Sequence, residues 1–128
     1  MNANERESLD ALFEAVVGAA YEVSNTLGAG FLEKVYERAL IKELALRGIQ
    51  ACPQVPYQVT YKGHIISEYV ADVVVDDRLL VEIKCVNTLS KEHLAQSLNY
   101  LKVSGLRLAL LVNFQHSKVV WLRVVSGL

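Results

Sequence analysis

The sequence predicts an α/β (α+β) domain in which helices cover a β-sheet, with the element order ααβββαββ. Two observations lead to this prediction. Apolar residues recur at steps of three and four in residues 8–47 and again in 90–104, which is typical of amphipathic helices. Residues 49–86 and 106–125 are rich in β-branched and aromatic residues and contain turn residues, which indicates strands. A chain of 128 residues fits one domain, residues 1–128.

Glycines bound the two helices of the N-terminal half. Residues 8–27 carry an apolar stripe along one helical face, and Gly28 follows, where a positive φ can end a helix. A second helix is predicted over residues 31–47, with Gly48 suited to its C-cap.

Turn and cap residues also separate the strands. Five strands are predicted, over residues 49–61, 65–75, 79–86, 106–114 and 119–125. The first is an edge strand or an irregular entry to one, because Pro53 and Pro56 cannot donate to a ladder. Residues 76–78 form the loop of a hairpin between the second and third strands. Ser90 is a suitable N-cap for a third helix that ends before Gly105.

Composition narrows the functional class. No apolar run approaches the roughly 20 residues that cross a bilayer, and the polar, acidic N-terminus lacks the features of a signal peptide, so we expect a cytoplasmic protein without membrane contact. Cys52 and Cys85 are then free thiols. The formal net charge of −1 excludes a bulk polycation, so binding to nucleic acid would use a local patch or a metal.

The strands carry a group of charged residues that interrupts an apolar pattern. Asp72 stands in the run Val70–Val75, which is typical of a strand buried on both faces. If the hairpin loop has three residues, Asp72 lies directly opposite Glu82, with Lys84 further along the same face. Facing carboxylates are destabilising without compensation, and a divalent cation such as Mg²⁺ is the simplest compensation. The pattern therefore indicates a metal-dependent hydrolysis site, unless Asp72 and Lys84 form a structural ion pair.

Polar and aromatic residues at helical spacing accompany these three: Glu33, Tyr36 and Glu37 on the second helix, and His93, Gln96 and Tyr100 on the third. The carboxylates of Glu33 and Glu37 share one helical face. They fit either a functional site or a solvated acidic face near a helix N-terminus. The stripe on the third helix likewise fits an ordinary amphipathic boundary.

Several of these residues fall in a known pattern. Gly30, Glu33 and Tyr36 read G-x-x-E-x-x-Y, and the blocks ADVVVDDRLLVEIK and HLAQSLNYLKVSGLRLALLVNF follow in order. The chain resembles the GxxExxY family of small proteins, which is placed in the PD-(D/E)XK nuclease-like superfamily. The resemblance extends over residues 12–114. It implies a restriction-endonuclease-like core, in which helices flank a central mixed sheet and one hairpin bears the active site.

The resemblance also assigns roles to residues. It implies that Asp72, Glu82 and the additional helical acid Glu33 bind Mg²⁺ or Mn²⁺, with the Ile83 carbonyl as a further ligand. Lys84 takes the position of the superfamily lysine, which orients the attacking water and stabilises charge on the phosphate.

A helical motif and three supporting side chains complete this assignment. Gln96 and Tyr100 match a Q-x-x-x-Y pattern whose Gln lines the active site. Tyr36, Glu37 and His93 are supporting residues, together with Tyr100.

The predicted function is therefore a metal-dependent nuclease that acts on DNA or RNA with little sequence specificity. Lys34, Arg38 and Lys42 recur at four-residue spacing and are candidates for contact with the phosphate backbone. The alternative is a non-catalytic module that keeps the fold and binds nucleic acid or assembles. The apolar content of 52% favours a homodimer through an edge in residues 106–125, which include Trp121.

Overall fold

The computed structural model describes residues 1–128 as three helices and five strands in the order ααβββαββ, which confirms the predicted order. The elements are α1 Ala3–Leu27, α2 Glu33–Leu46, β1 Ala51–Tyr61, β2 His64–Val75, β3 Leu79–Lys84, α3 Lys91–Ser104, β4 Leu108–Asn113 and β5 Val120–Val125. None of the three helices combines the length and the apolar content that crossing a bilayer requires.

The strands form a single mixed sheet in the order β1-β2-β3-β4-β5. Neighbouring strands are antiparallel except β3 and β4, which are parallel because α3 carries the chain back between them. The predicted α+β class with a central mixed sheet is therefore confirmed. β1 is an edge strand, as its prolines predict.

Helix ends follow the predicted caps, but two helices start at other residues than predicted, and α2 begins at Glu33, two residues late. The Ser90 side chain accepts from the His93 N–H group, and Gly105 ends α3 at a φ of 75°. By contrast, α1 begins five residues before the predicted start, because the Asn2 side chain accepts from the Glu5 N–H group at 2.8 Å. The first turn contains no apolar residue larger than Ala3, so it lacks the apolar periodicity on which the prediction depended.

The core lies on both faces of the sheet. On one face α1 and α2 cover a cluster of 19 buried residues, including Tyr36, Leu110 and Phe114. On the other face α3 covers a smaller cluster of seven, including Ala71 and Leu101. Strands β3 and β4 are buried on both faces and hold the two layers together.

Burial along β2 is uneven. Val73, Val74 and Val75 are buried, as predicted, whereas Val70 is exposed. The outer part of the β1–β2 hairpin is exposed as well, including Tyr61, Ile65 and Ile66. The prediction of a strand buried on both faces is therefore wrong for Val70, since this part of β2 extends beyond the covering helices.

The C-terminal strands differ from the predicted edge. β4 is interior, so only β5 provides a free edge within residues 106–125. Trp121 does not lie free on that edge: it packs edge-on against Phe13 at 5.6 Å between ring centroids. Its indole N–H group also donates to the Tyr21 hydroxyl at 3.2 Å. Trp121 therefore joins β5 to α1.

Leu110→Ala tests the larger cluster. Leu110 is 0% exposed in β4, so its truncation leaves a cavity and lowers the free energy of unfolding by about 3–5 kcal/mol. Leu122→Ala in β5 is the matched control, because Leu122 is 39% exposed, and it costs under about 1 kcal/mol. Urea unfolding of both variants measures the difference, and equal losses would contradict the assignment of the core.

Candidate active site

The β2–β3 hairpin brings the two strand acids together. Val75 pairs with Leu79, so the loop has the three residues predicted, and the last main-chain pair is Val73–Val81. The same register, carried one residue further, sets Asp72 opposite Glu82. There the Ile83 N–H group donates to the Asp72 carboxylate at 2.8 Å. A side chain thus takes the place of the main-chain partner at the end of the ladder.

Asp72 also lies where β2 changes the face that it presents. Ala71 packs in the α3-side cluster and Val73 in the α1–α2 cluster, although strict alternation would put both on one face. Across the ladder, Gln54 lies between the partners of these two residues and has a φ of +53°. This irregularity in both strands aims the Asp72 carboxylate into a cleft between the sheet and α2.

Glu33 reaches the same place from α2. It is the first residue of the helix, and its carboxylate accepts from the Cys85 N–H group at 3.0 Å. Ile83 and Cys85 are two residues apart, so their N–H groups point to the same side of β3. The β3 edge that β2 leaves unpaired is therefore occupied by carboxylates from β2 and α2.

The acids line a small cleft of about 100 Å³. The lining residues are Glu33, Lys34, Glu37, Gln54, Asp72 and Ile83. Glu37 is 5% exposed and accepts from Lys34 Nζ at 2.8 Å and from Gln54 Nε2 at 2.6 Å. One carboxylate in the cleft therefore has an opposite charge, whereas Glu33 and Asp72 have main-chain partners alone.

Tyr36 holds the loop that leads into α2. Its ring is fully buried and stacks on Phe114 at 4.6 Å between centroids. Its hydroxyl donates to the Gly28 carbonyl at 2.7 Å and accepts from the Phe31 N–H group at 3.3 Å. Tyr36 therefore acts on the site through the loop that positions Glu33, not by lining the cleft.

Glu82 projects toward the α3 side of the sheet. It is 5% exposed and accepts a hydrogen bond from the Tyr69 hydroxyl, and the Tyr69 ring stacks on Tyr100 of α3 at 3.8 Å. Lys84 is half-buried and forms no ion pair. The structural ion pair between Asp72 and Lys84, considered as an alternative, is therefore absent.

Burial and like charges perturb both strand acids. Desolvation by burial raises the pKa of Asp72, with a further increase from the carboxylates of Glu37 and Glu33. Burial, followed by the charge of Asp72, raises the pKa of Glu82 to about 7, although the Tyr69 hydroxyl and the Lys84 ammonium oppose the increase. The charge of Lys84 lowers both pKa values but does not offset burial and the repulsion between the carboxylates.

The α3 residues lie at different distances from this chemistry. Tyr100 reaches the Tyr69–Glu82 pair by stacking, and Gln96 lies one turn earlier on α3, exposed and without a side-chain hydrogen bond. His93 completes the helix cap, since its Nδ1 accepts from the Ser90 N–H group at 3.0 Å.

Gln54 and Tyr69 are parts of the site that no sequence pattern indicates, and Lys34 is predicted only as a contact to the phosphate backbone. The structure places Lys34 and Gln54 in the cleft and Tyr69 against Glu82. The position of Tyr69, three residues before Asp72 on β2, gives no indication in the sequence, because aromatic residues are common in strands. Only Lys34 had a sequence indication, as part of the basic stripe on the second helix.

The donor set suits a hard divalent cation in chemistry but is not closed around one. Carboxylate and carbonyl oxygens are the ligands that Mg²⁺ and Mn²⁺ take, and the pKa values of both strand acids stay raised although Lys84 opposes the increase. No three carboxylate, imidazole or thiol groups converge in the arrangement observed. Glu82 does not line the cleft, although it is close enough to Asp72 for the charge of Asp72 to raise its pKa.

Glu82→Gln tests the electrostatic strain. The folded chain holds the Glu82 proton up to a pKa of about 7, whereas the unfolded chain releases it near 4.5, so stability falls as pH rises between these values. Over this range the free energy of unfolding falls by about 3 kcal/mol. Most of this fall is expected to be absent in Glu82→Gln, because glutamine does not ionise. Thermal unfolding from pH 4 to 8 measures this, with Glu68→Gln on exposed β2 as the control. If the stability of the wild type and of Glu82→Gln changed with pH in the same way, the electrostatic strain at Glu82 would be disproved.

Comparison with known proteins identifies the superfamily of the chain. A family model described as the PD-(D/E)XK nuclease superfamily matches residues 10–124. A search of curated proteins and a search of solved structures gave no significant match. The match extends from α1 to β5 and includes the D…E-x-K pattern of Asp72, Glu82 and Lys84. The chain therefore belongs to the PD-(D/E)XK nuclease superfamily.

Proposed function

We propose that this protein is a nuclease that hydrolyses phosphodiester bonds of nucleic acid with the help of Mg²⁺ or Mn²⁺. One observation carries the proposal: acids from three elements surround the edge where the β2–β3 ladder ends, and the two strand acids have raised pKa values. Groups strained in this way are characteristic of catalytic or ligand sites. Membership of a nuclease superfamily supports the choice of nucleic acid as the substrate.

The cation would be held by Asp72, Glu82, Glu33 and the Ile83 carbonyl. When bound, it lowers the pKa of water and stabilises negative charge on a phosphate. The protein contributes acids that are already fixed to the backbone of β3, so less conformational entropy is lost on binding. Glu37, held by Lys34 and Gln54, adds negative charge beside Asp72.

Lys84 supplies the positive charge for the reaction. It forms no ion pair, so its ammonium group is free to donate to the attacking water or to a phosphate oxygen. Gln96 lies on the same helical face as Tyr100 and would orient the lysine, the water or the phosphate. His93 contributes by capping α3 and Tyr36 by holding the loop before Glu33.

Contact with the phosphate backbone is assigned to α2. Lys34, Arg38 and Glu37 line a wider groove that continues from the cleft along β1. Lys42 extends the same helical face by one turn and is exposed. Arg38 and Lys42 form no ion pair and would supply the local attraction that a chain with a net charge of −1 lacks as a whole, whereas Lys34 would have to leave Glu37 to contribute.

A second candidate function is assembly without catalysis. It is favoured by the free edge of β5, where Val120, Leu122 and Val125 are exposed. An exposed apolar edge of this kind tends to pair with another strand, and a homodimer through β5 is the corresponding proposal. Sedimentation of wild type and Leu122→Lys distinguishes a dimer from a monomer.

Lys84→Ala is expected to abolish cleavage while leaving the fold intact. Without the ammonium group, hydrolysis of labelled single-stranded and duplex DNA and RNA falls at least about 100-fold in Mg²⁺ or Mn²⁺. Because Lys84 has no ion-pair partner, the free energy of unfolding changes by under about 1 kcal/mol. Lys102→Ala in the last turn of α3 is the control. No cleavage by wild type on any substrate would favour the assembly function instead.

Metal binding has a readout that does not depend on cleavage. Mg²⁺ or Mn²⁺ in excess is expected to raise the unfolding temperature of the wild-type chain, because a cation that binds only the folded state stabilises it. Asp72→Asn keeps an oxygen for the Ile83 N–H group but loses the charge, and should abolish the increase. Asp77→Asn in the exposed loop is the matched control. An equal increase in all three chains would contradict the assigned ligands.

A further inference from the structure

Three tyrosine rings form a continuous stack on the α3 side of the sheet. Tyr57 of β1 lies against Tyr69 of β2, with 6.1 Å between centroids and 17° between planes. Tyr69 lies against Tyr100 of α3, with 3.8 Å and 7°. Tyr69 therefore stacks on one ring from β1 and on one ring from α3, and we refer to these three residues as the tyrosine stack.

The tyrosine stack is attached to the candidate active site. The Tyr69 hydroxyl donates to Glu82, one of the two strand acids. Tyr100 lies one turn after Gln96 on α3. A group that bound at the end of the stack would therefore be one ring away from a proposed metal ligand.

Tyr57 is the open end of the stack. β1 is the edge strand, so no further strand lies beside Tyr57 on its outer side. Tyr69 is the one ring that stacks on it, and Tyr57 is half-buried. The stack thus presents an aromatic ring at the margin of the sheet, next to the site but outside the cleft.

We propose that Tyr57 is a platform on which an unpaired nucleobase of the substrate stacks, so that the substrate class is single-stranded nucleic acid. This inference rests on the proposed function for the position of the phosphate. An aromatic face recognises any base by stacking, whereas the bases of a duplex are stacked on each other and present no free face. The tyrosine stack limits the motion of Tyr57, because Tyr57 packs on Tyr69 and Tyr69 in turn packs on Tyr100.

The test measures binding in EDTA, so that it does not depend on hydrolysis. Labelled DNA and RNA strands of about 12 nucleotides are compared with duplexes of the same sequence. The wild-type chain and Tyr57→Phe, which keeps the ring, should bind the single strands at least tenfold more tightly than the duplexes. Tyr57→Leu should weaken single-strand binding by roughly 10-fold, as the loss of one stacked base requires. Tyr61→Leu, on exposed β1, is the control and should bind as the wild type does.

A strand with abasic nucleotides separates stacking from damage to the fold. Wild type should bind the abasic strand more weakly than the intact one, and Tyr57→Leu should show no difference between them. Equal affinity of wild type for intact and abasic strands, or for strand and duplex, would overturn the inference. If the wild-type chain and Tyr57→Leu cleave duplex at the same rate, the nuclease function stands and the platform is rejected. Single-strand binding through Tyr57 without cleavage would keep the platform and reject the nuclease.

Discussion

The hydrogen bond from the Ile83 N–H group to the Asp72 carboxylate fixes the arrangement of the whole site. It forms where the main chains of β2 and β3 stop pairing, so the strands stay together while one edge of β3 becomes available. The next N–H group on that edge, at Cys85, binds Glu33 and so attaches α2. A backbone edge that would otherwise need a partner strand thus organises acids from two elements.

That organisation has an electrostatic cost that the fold does not offset by itself. Asp72 and Glu82 are desolvated beside each other, and Glu37 and Glu33 add to the negative charge around Asp72. The positive charge of Lys34 is used by Glu37, and Lys84 remains unpaired. The two well-packed clusters on either face of the sheet tolerate this strain. Residues that serve chemistry often reduce stability in this way.

The local features of the fold were accessible from the sequence, and the long-range ones were not. The three-residue loop, the Ser90 cap and the edge strand with its prolines each depend on neighbouring residues. The same holds for the opposition of Asp72 and Glu82, which follows from the loop length. The Tyr69–Glu82 bond and the place of Gln54 depend on the irregular β1–β2 pairing and on where α3 packs, and no short pattern encodes these.

The outer part of the β1–β2 hairpin has a different consequence. Tyr61, Ile65 and Ile66 lie outside both clusters, and the Lys62–Gly63 turn adopts positive φ at each residue. Asp72 lies near the base of the hairpin, and Tyr57 and Tyr69 lie at least four residues from the ends of the strands at the turn. Changes in the length of this tip therefore leave the core intact. The tip is the part of the molecule where a segment could be added, by evolution or by engineering, without disturbing either hydrophobic cluster.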